Sequence, residues 1–84
     1  MNKINTFIFV LNDIDSEQYD ELLQDFQKTE LKYKPLGYIE RTAMILLEPI
    51  FMPNNNYCNI YINTLNKIMN KWKDYDPYLD EGGI

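Results

Sequence analysis

Carboxylates dominate whatever chemistry this chain can do. Asp13 and Asp15 stand two residues apart just past the apolar run Thr6 to Leu11. That position, the carboxyl end of an expected strand, is one where loops often carry functional groups. Oxygen donors of this kind suit Mg²⁺, and two such pairs meeting across a dimer could hold the metal of a phosphodiesterase. The competing reading gives Asp15 to the start of a helix, because Gln18 follows it at the three-residue spacing of a capping box, and gives Asp13 to the preceding turn. The second reading is preferred. An enzyme acting on phosphodiesters wants a basic surround, and this loop is ringed by acids. No cofactor is expected, and Asp13 and Asp15 stand as the metal-ligand alternative.

Other catalytic chemistries fail on residue types. The chain has no histidine, which removes the commonest general base and the commonest transition-metal ligand. Cys58 is the one cysteine, so an internal disulfide framework is excluded. Its place at the start of an expected helix could lower its pKa, but with no partner base it reads as a small packing residue. Catalysis is not expected.

The strongest signal is the distribution of charge. Seven acids lie between Asp13 and Glu30 against one base, Lys28. Glu17, Glu21 and Asp25 recur at i, i+4 and i+8, with Asp20 beside them, and read as one solvent face of a helix. Carboxylates four residues apart are separated by about 6 Å along a helix axis, close to the spacing of successive phosphates. Such a face could address a basic protein as nucleic acid does. Acids return near the end as Asp74, Asp76, Asp80 and Glu81, among the aromatics Tyr75 and Tyr78. The functional expectation is a non-catalytic binding or inhibitory module. Its partner-binding face would be Glu17, Asp20, Glu21 and Asp25, with Tyr75, Asp76, Tyr78, Asp80 and Glu81 as a second contact. Its partner would be a protein with a basic surface. The alternative is a structural homo-oligomeric domain whose acidity serves only solubility. The net charge of −5 disfavours attraction to nucleic acid or to anionic membranes. An abundance of Asn, Ile, Lys and Tyr is a bias common in AT-rich genomes, many phages and mobile elements among them.

The elements that must position these residues follow from periodicity. Thr6 to Leu11 is apolar at every position after Thr6 and rich in β-branched and aromatic residues, the pattern of a strand buried on both faces. Tyr19, Leu22, Leu23 and Phe26 mark one face of a helix over about 16–29. Residues 31–39 and 42–48 read as a hairpin. Pro35-Leu36-Gly37 supplies turn or bulge chemistry within the first strand, and Glu40-Arg41 forms the polar turn. A short buried helix over 40–48 is the competing reading; the hairpin is preferred because it gives the first helix a sheet to cover. Pro53 to Asn56 reads as a loop. Tyr61, Leu65, Ile68 and Trp72 then define a second helix over about 57–73, stopped before Pro77.

The order β-α-β-β-α, in one α+β domain over 1–76, matches the first five elements of a ferredoxin-like fold. Residues 77–84, acidic and containing two glycines, read as a mobile tail and a poor strand. That leaves a three-stranded sheet with two helices on one face. A chain of 84 residues has a thin core, and a homodimer is expected to cover the other face. No apolar run spans a bilayer and the first residues lack signal-peptide features, so the cytoplasm is the expected location.

Overall fold

The computed structural model describes the backbone of residues 2–4, 6–48, 50–52 and 55–81, and the side-chain surroundings of 6–48 and 59–80. The elements run β1 (Asn2–Ile4), β2 (Phe7–Leu11), α1 (Ser16–Gln27), β3 (Tyr33–Ile39), β4 (Thr42–Leu47), β5 (Ile50–Met52), α2 (Asn55–Lys71), a 3-10 turn at Lys73–Tyr75, and β6 (Tyr78–Glu81). Four strands form one antiparallel sheet in the order β3-β4-β2-β6. With α1 and α2 as crossovers, this is the strand arrangement of a ferredoxin-like sheet.

The sheet therefore has four strands, where the sequence pattern predicted three. Tyr78–Glu81, read as a tail outside the domain, is the fourth. Its composition is poor for a strand, but β2 overrides it. Phe9 and Leu11 are wholly buried on one face of β2 and Val10 is 5% exposed on the other. A strand this enclosed needs hydrogen-bond partners on both edges. β4 occupies one, and β6 fills the other with Leu79 opposite Phe9 and Tyr78 opposite Val10. Leu79 joins the core margin, so burial outweighs local propensity.

Both helices pack on one face, as expected. Leu22 and Phe26 of α1, Tyr61, Leu65, Ile68 and Trp72 of α2, and Phe9, Leu11, Ala43, Ile45 and Leu47 of the sheet form a single buried cluster. Phe9 and Phe26 meet edge to face with ring centroids 5.3 Å apart, an arrangement that adds to area burial. Helix α1 begins on the anticipated capping box: the Asp15 carboxylate accepts from the Gln18 N–H at 2.8 Å, and Gln18 Oε1 accepts from the Asp15 N–H at 2.9 Å. It ends two residues early, where the Thr29 hydroxyl donates to the Phe26 carbonyl and accepts from the Leu31 N–H. Helix α2 begins earlier than predicted, because Asn55 and Asn56, read as loop, form its first turn. It ends at Lys71, and Asp76 takes the left-handed conformation that closes the 3-10 turn before Pro77.

Residues 42–47 are strand, not helix, and the expected irregularity in β3 is a register shift between Pro35 and Gly37. The β1–β5 ribbon was not anticipated. It pairs Asn2 with Met52 and Ile4 with Ile50, continuing the register in which β2 and β4 pair Phe7 with Leu47, and it lies against α2.

The two-residue turn of the β3–β4 hairpin is conformationally costly. Glu40 and Arg41 both have positive φ, 52° and 65°, the signature of a type I′ turn that favours Asn-Gly. Each non-glycine residue held there costs about 1 kcal/mol or more. Replacing Glu40-Arg41 by Asn-Gly is expected to raise the unfolding free energy by about 1 kcal/mol, measured by urea denaturation. Phe26→Ala is expected to lower it by about 3–5 kcal/mol in the same assay.

Candidate functional site

The acids of α1 divide into two groups. Successive helical residues advance about 100°, so eight positions carry Asp25 roughly 80° around the axis from Glu17. That rotation takes Asp25 off the solvent face on which the sequence pattern placed it and into the seam with α2. Its side chain is only 14% exposed. One carboxylate oxygen meets Lys71 Nζ at 2.8 Å, and the other accepts from Trp72 Nε1 at 2.8 Å. Lys71 also reaches Glu21 Oε2 at 2.8 Å and lies 5.4 Å from the Trp72 ring centroid. These contacts fasten α1 to the end of α2, where a cation is also favoured by the helix dipole.

Glu17 and Asp20 remain exposed, and neither forms a salt bridge among the described residues. Gln18, whose Oε1 completes the helix cap, donates from Nε2 to the Tyr75 hydroxyl at 2.6 Å. Tyr75 is half-buried and packs on Trp72 with centroids 5.9 Å apart. Asp74 and Asp76, the chain neighbours of Tyr75, are both exposed, and Asp76 lines a shallow surface hollow with Asn66, Met69, Asn70 and Lys73 at the end of α2. The link was missed in sequence because Gln18 was credited with its capping bond alone, although a cap that uses Oε1 leaves the amide N–H free. Tyr78 and Asp80 are exposed on β6, away from this surface, and the Glu81 side chain lies outside the described residues. The residues read as one tail contact are thus split between the 3-10 turn and the sheet.

The loop holding Asp13 and Asp15 is braced against the β3–β4 hairpin. The Ile14 N–H donates to the Arg41 carbonyl at 3.1 Å, the Thr42 hydroxyl to Asn12 Oδ1 at 2.9 Å, and the Tyr38 hydroxyl to the Ile14 carbonyl. Asp13 itself has a φ of 61°, a conformation aspartate tolerates in tight turns. Among the described residues no three acidic or thiol side chains converge as metal ligands. Tyr33, Tyr38 and Tyr75 pack against the core, Trp72 is buried as expected, and the side chains of Tyr57 and Cys58 lie outside the described residues. No helix among the described residues is long and apolar enough to cross a membrane.

What this surface offers chemically is a set of exposed carboxylates on the first turns of α1. No family model, no curated protein and no solved structure matches the chain.

Two groups titrate above their ordinary values. Lys71 is raised first by its hydrogen bond to Asp25 and then by that to Glu21; burial raises the Tyr61 phenol. Both pKa values are higher folded than unfolded, so deprotonation of either group takes stability from the fold as pH rises above about 10 through the folded values. Lys71→Met is therefore expected to make the loss of melting temperature above pH 10 shallower than in the wild type. The Tyr61 hydroxyl is buried with no partner among the described residues, so Tyr61→Phe is expected to leave neutral-pH stability unchanged or higher. Asp25→Ala is expected to cost about 2 kcal/mol, because it strips charge-assisted bonds from Trp72 and Lys71. Glu21→Ala, at the exposed end of the network, is expected to cost under about 1 kcal/mol by chemical denaturation.

Proposed function

We propose that this chain is a non-catalytic binding or inhibitory module that offers an acidic surface to a basic protein. The surface is centred on Glu17 and Asp20 of α1, with Glu21 at its margin in an ion pair with Lys71. Asp25 is removed from it, since its carboxylate is already engaged inside the fold. The observation that carries the reading is the exposure of Glu17 and Asp20 on one helix. Lys71 is directed at Glu21 and Asp25 and leaves Glu17 and Asp20 without a salt bridge among the described residues. Carboxylates held by a rigid helix meet a cationic surface with little ordering cost. Like-charged nucleic acid and anionic membranes are disfavoured as partners by the net charge of −5. The cytoplasm suits a chain whose fold is held by packing, with a single cysteine.

The test is affinity capture with the wild type and with a Glu17→Lys/Asp20→Lys variant as baits, followed by calorimetric titration of each protein retained. The expected result is a basic partner bound by the wild type and weakened about tenfold or more by the variant. Its affinity should also fall as salt rises from about 0.05 to about 0.3 M. Binding indifferent to both changes, across all retained proteins, would overturn the reading.

A further inference from the structure

The sheet face turned away from both helices is patterned in rows. Strand register places Lys34, Leu46, Ile8 and Asp80 side by side across β3, β4, β2 and β6. The next row is Gly37, Met44, Val10 and Tyr78. These positions alternate with the core-facing Phe9, Ala43, Ile45, Leu47 and Leu79, so they project from the opposite side. Each row is apolar at its centre. The first has a cation at one edge and an anion at the other, separated by three strand spacings of about 4.8 Å, too far to pair within one chain. The second has a 48% exposed tyrosine at one edge and, at the other, a glycine around which a Cβ would meet nothing within 4 Å.

We propose that this face binds a second copy of the chain, sheet against sheet, about a two-fold axis parallel to the strands and midway between β4 and β2. Such an axis reverses strand order while keeping height along the strands. It lays β3 over β6 and β4 over β2 of the other copy, and each row meets itself reversed. Lys34 then faces Asp80 of the other copy at both rims, and Tyr78 seats in the recess over Gly37. Leu46 packs on Ile8 of the other copy, and Met44 lies over Val10, which its own chain already leaves only 5% exposed. Both kinds of complementarity, charge and shape, arise from one operation, and aligned sheets pack face to face in this way at about 10 Å. The alternative of joining edges is blocked. β3 carries Pro35 and its register shift, and β6 is four residues long and bears Asp80, devices that blunt an edge. The acidic surface of α1 lies on the far side and stays free.

The footprint sets the strength. Four strands of about five residues give roughly 300–400 Å² per copy, about half the 800 Å² per partner of a standard stable interface. A dimer dissociating in the micromolar range or above is the expected result. Sedimentation equilibrium from about 1 µM to about 1 mM should show a reversible monomer–dimer equilibrium. Lys34→Glu alone and Asp80→Lys alone each put like charges at both rims and should weaken association at least about tenfold. Mixed in equal amounts, the two variants should recover a dimer, because both rim pairs of the heterodimer are opposite in sign. Gly37→Leu fills the recess and should weaken association while leaving the melting temperature of the monomer nearly unchanged. Circular dichroism of each variant checks that the fold is kept. A wild type that stays monomeric throughout, association unaffected by either charge reversal, or a mixture that fails to recover would each overturn the proposal.

Discussion

Strand β2 cannot be left with an unpaired edge, because its backbone is shut away from water and its N–H and C=O groups must find protein partners. Phe9 and Leu11 have no exposed surface, and Val10, on the opposite face, has almost none. The pairings with β4 and β6 satisfy that requirement, and the rest of the fold arranges itself around them. Recruiting β6 fixes where α2 must end and how the chain must turn. The Lys73–Tyr75 turn and the left-handed Asp76 are the link that delivers Tyr78 to its register opposite Val10. The same turn presents Tyr75 to Gln18. A requirement of the sheet thus ends by fixing a contact at the start of the first helix.

The α1 acids illustrate how one sequence feature can serve two ends. Glu17 to Asp25 forms a regular ladder in sequence, but helical rotation gives its upper rungs to solvent and its last rung to a seam. Asp25 is held between an ammonium and an indole N–H, both within 2.8 Å. A carboxylate so enclosed stabilises the fold only because both its oxygens are satisfied; with either partner absent it would be a buried charge in need of compensation. The negative potential around α1 is consequently narrower than the acid count suggests, and it is centred on the first two turns.

Much of the fold was legible in the sequence because the signals were local. The capping box at Asp15 and Gln18, the irregularity at Pro35 to Gly37, and the apolar stripes of both helices each rest on neighbours within a few residues. What escaped depended on distant partners. A strand apolar on both faces implies two neighbours, and the hairpin supplied one; following that implication would have demanded a strand from residues 78–81 despite their composition. Asp25 escaped because a spacing of four keeps residues on one face only for about two turns. The Gln18–Tyr75 contact and the rows of the outer face exist only once the pairing register is known. The β1–β5 ribbon joins three-residue segments that are too short to announce themselves.

The pairing of Phe7 with Glu81 joins positions nearly the whole chain apart, and this shapes the order in which the protein can assemble. Emerging from its amino end, the polypeptide can form the α1 cap and the β3–β4 hairpin early, since their contacts are close in sequence. The flank of β2 that β6 will occupy stays bare until residues 78–81 arrive, and closing a loop of that span carries an entropic cost. For that interval the nascent protein carries an apolar strand edge able to pair with any extended chain nearby. The short segment after Trp72 is thus what covers this flank of β2.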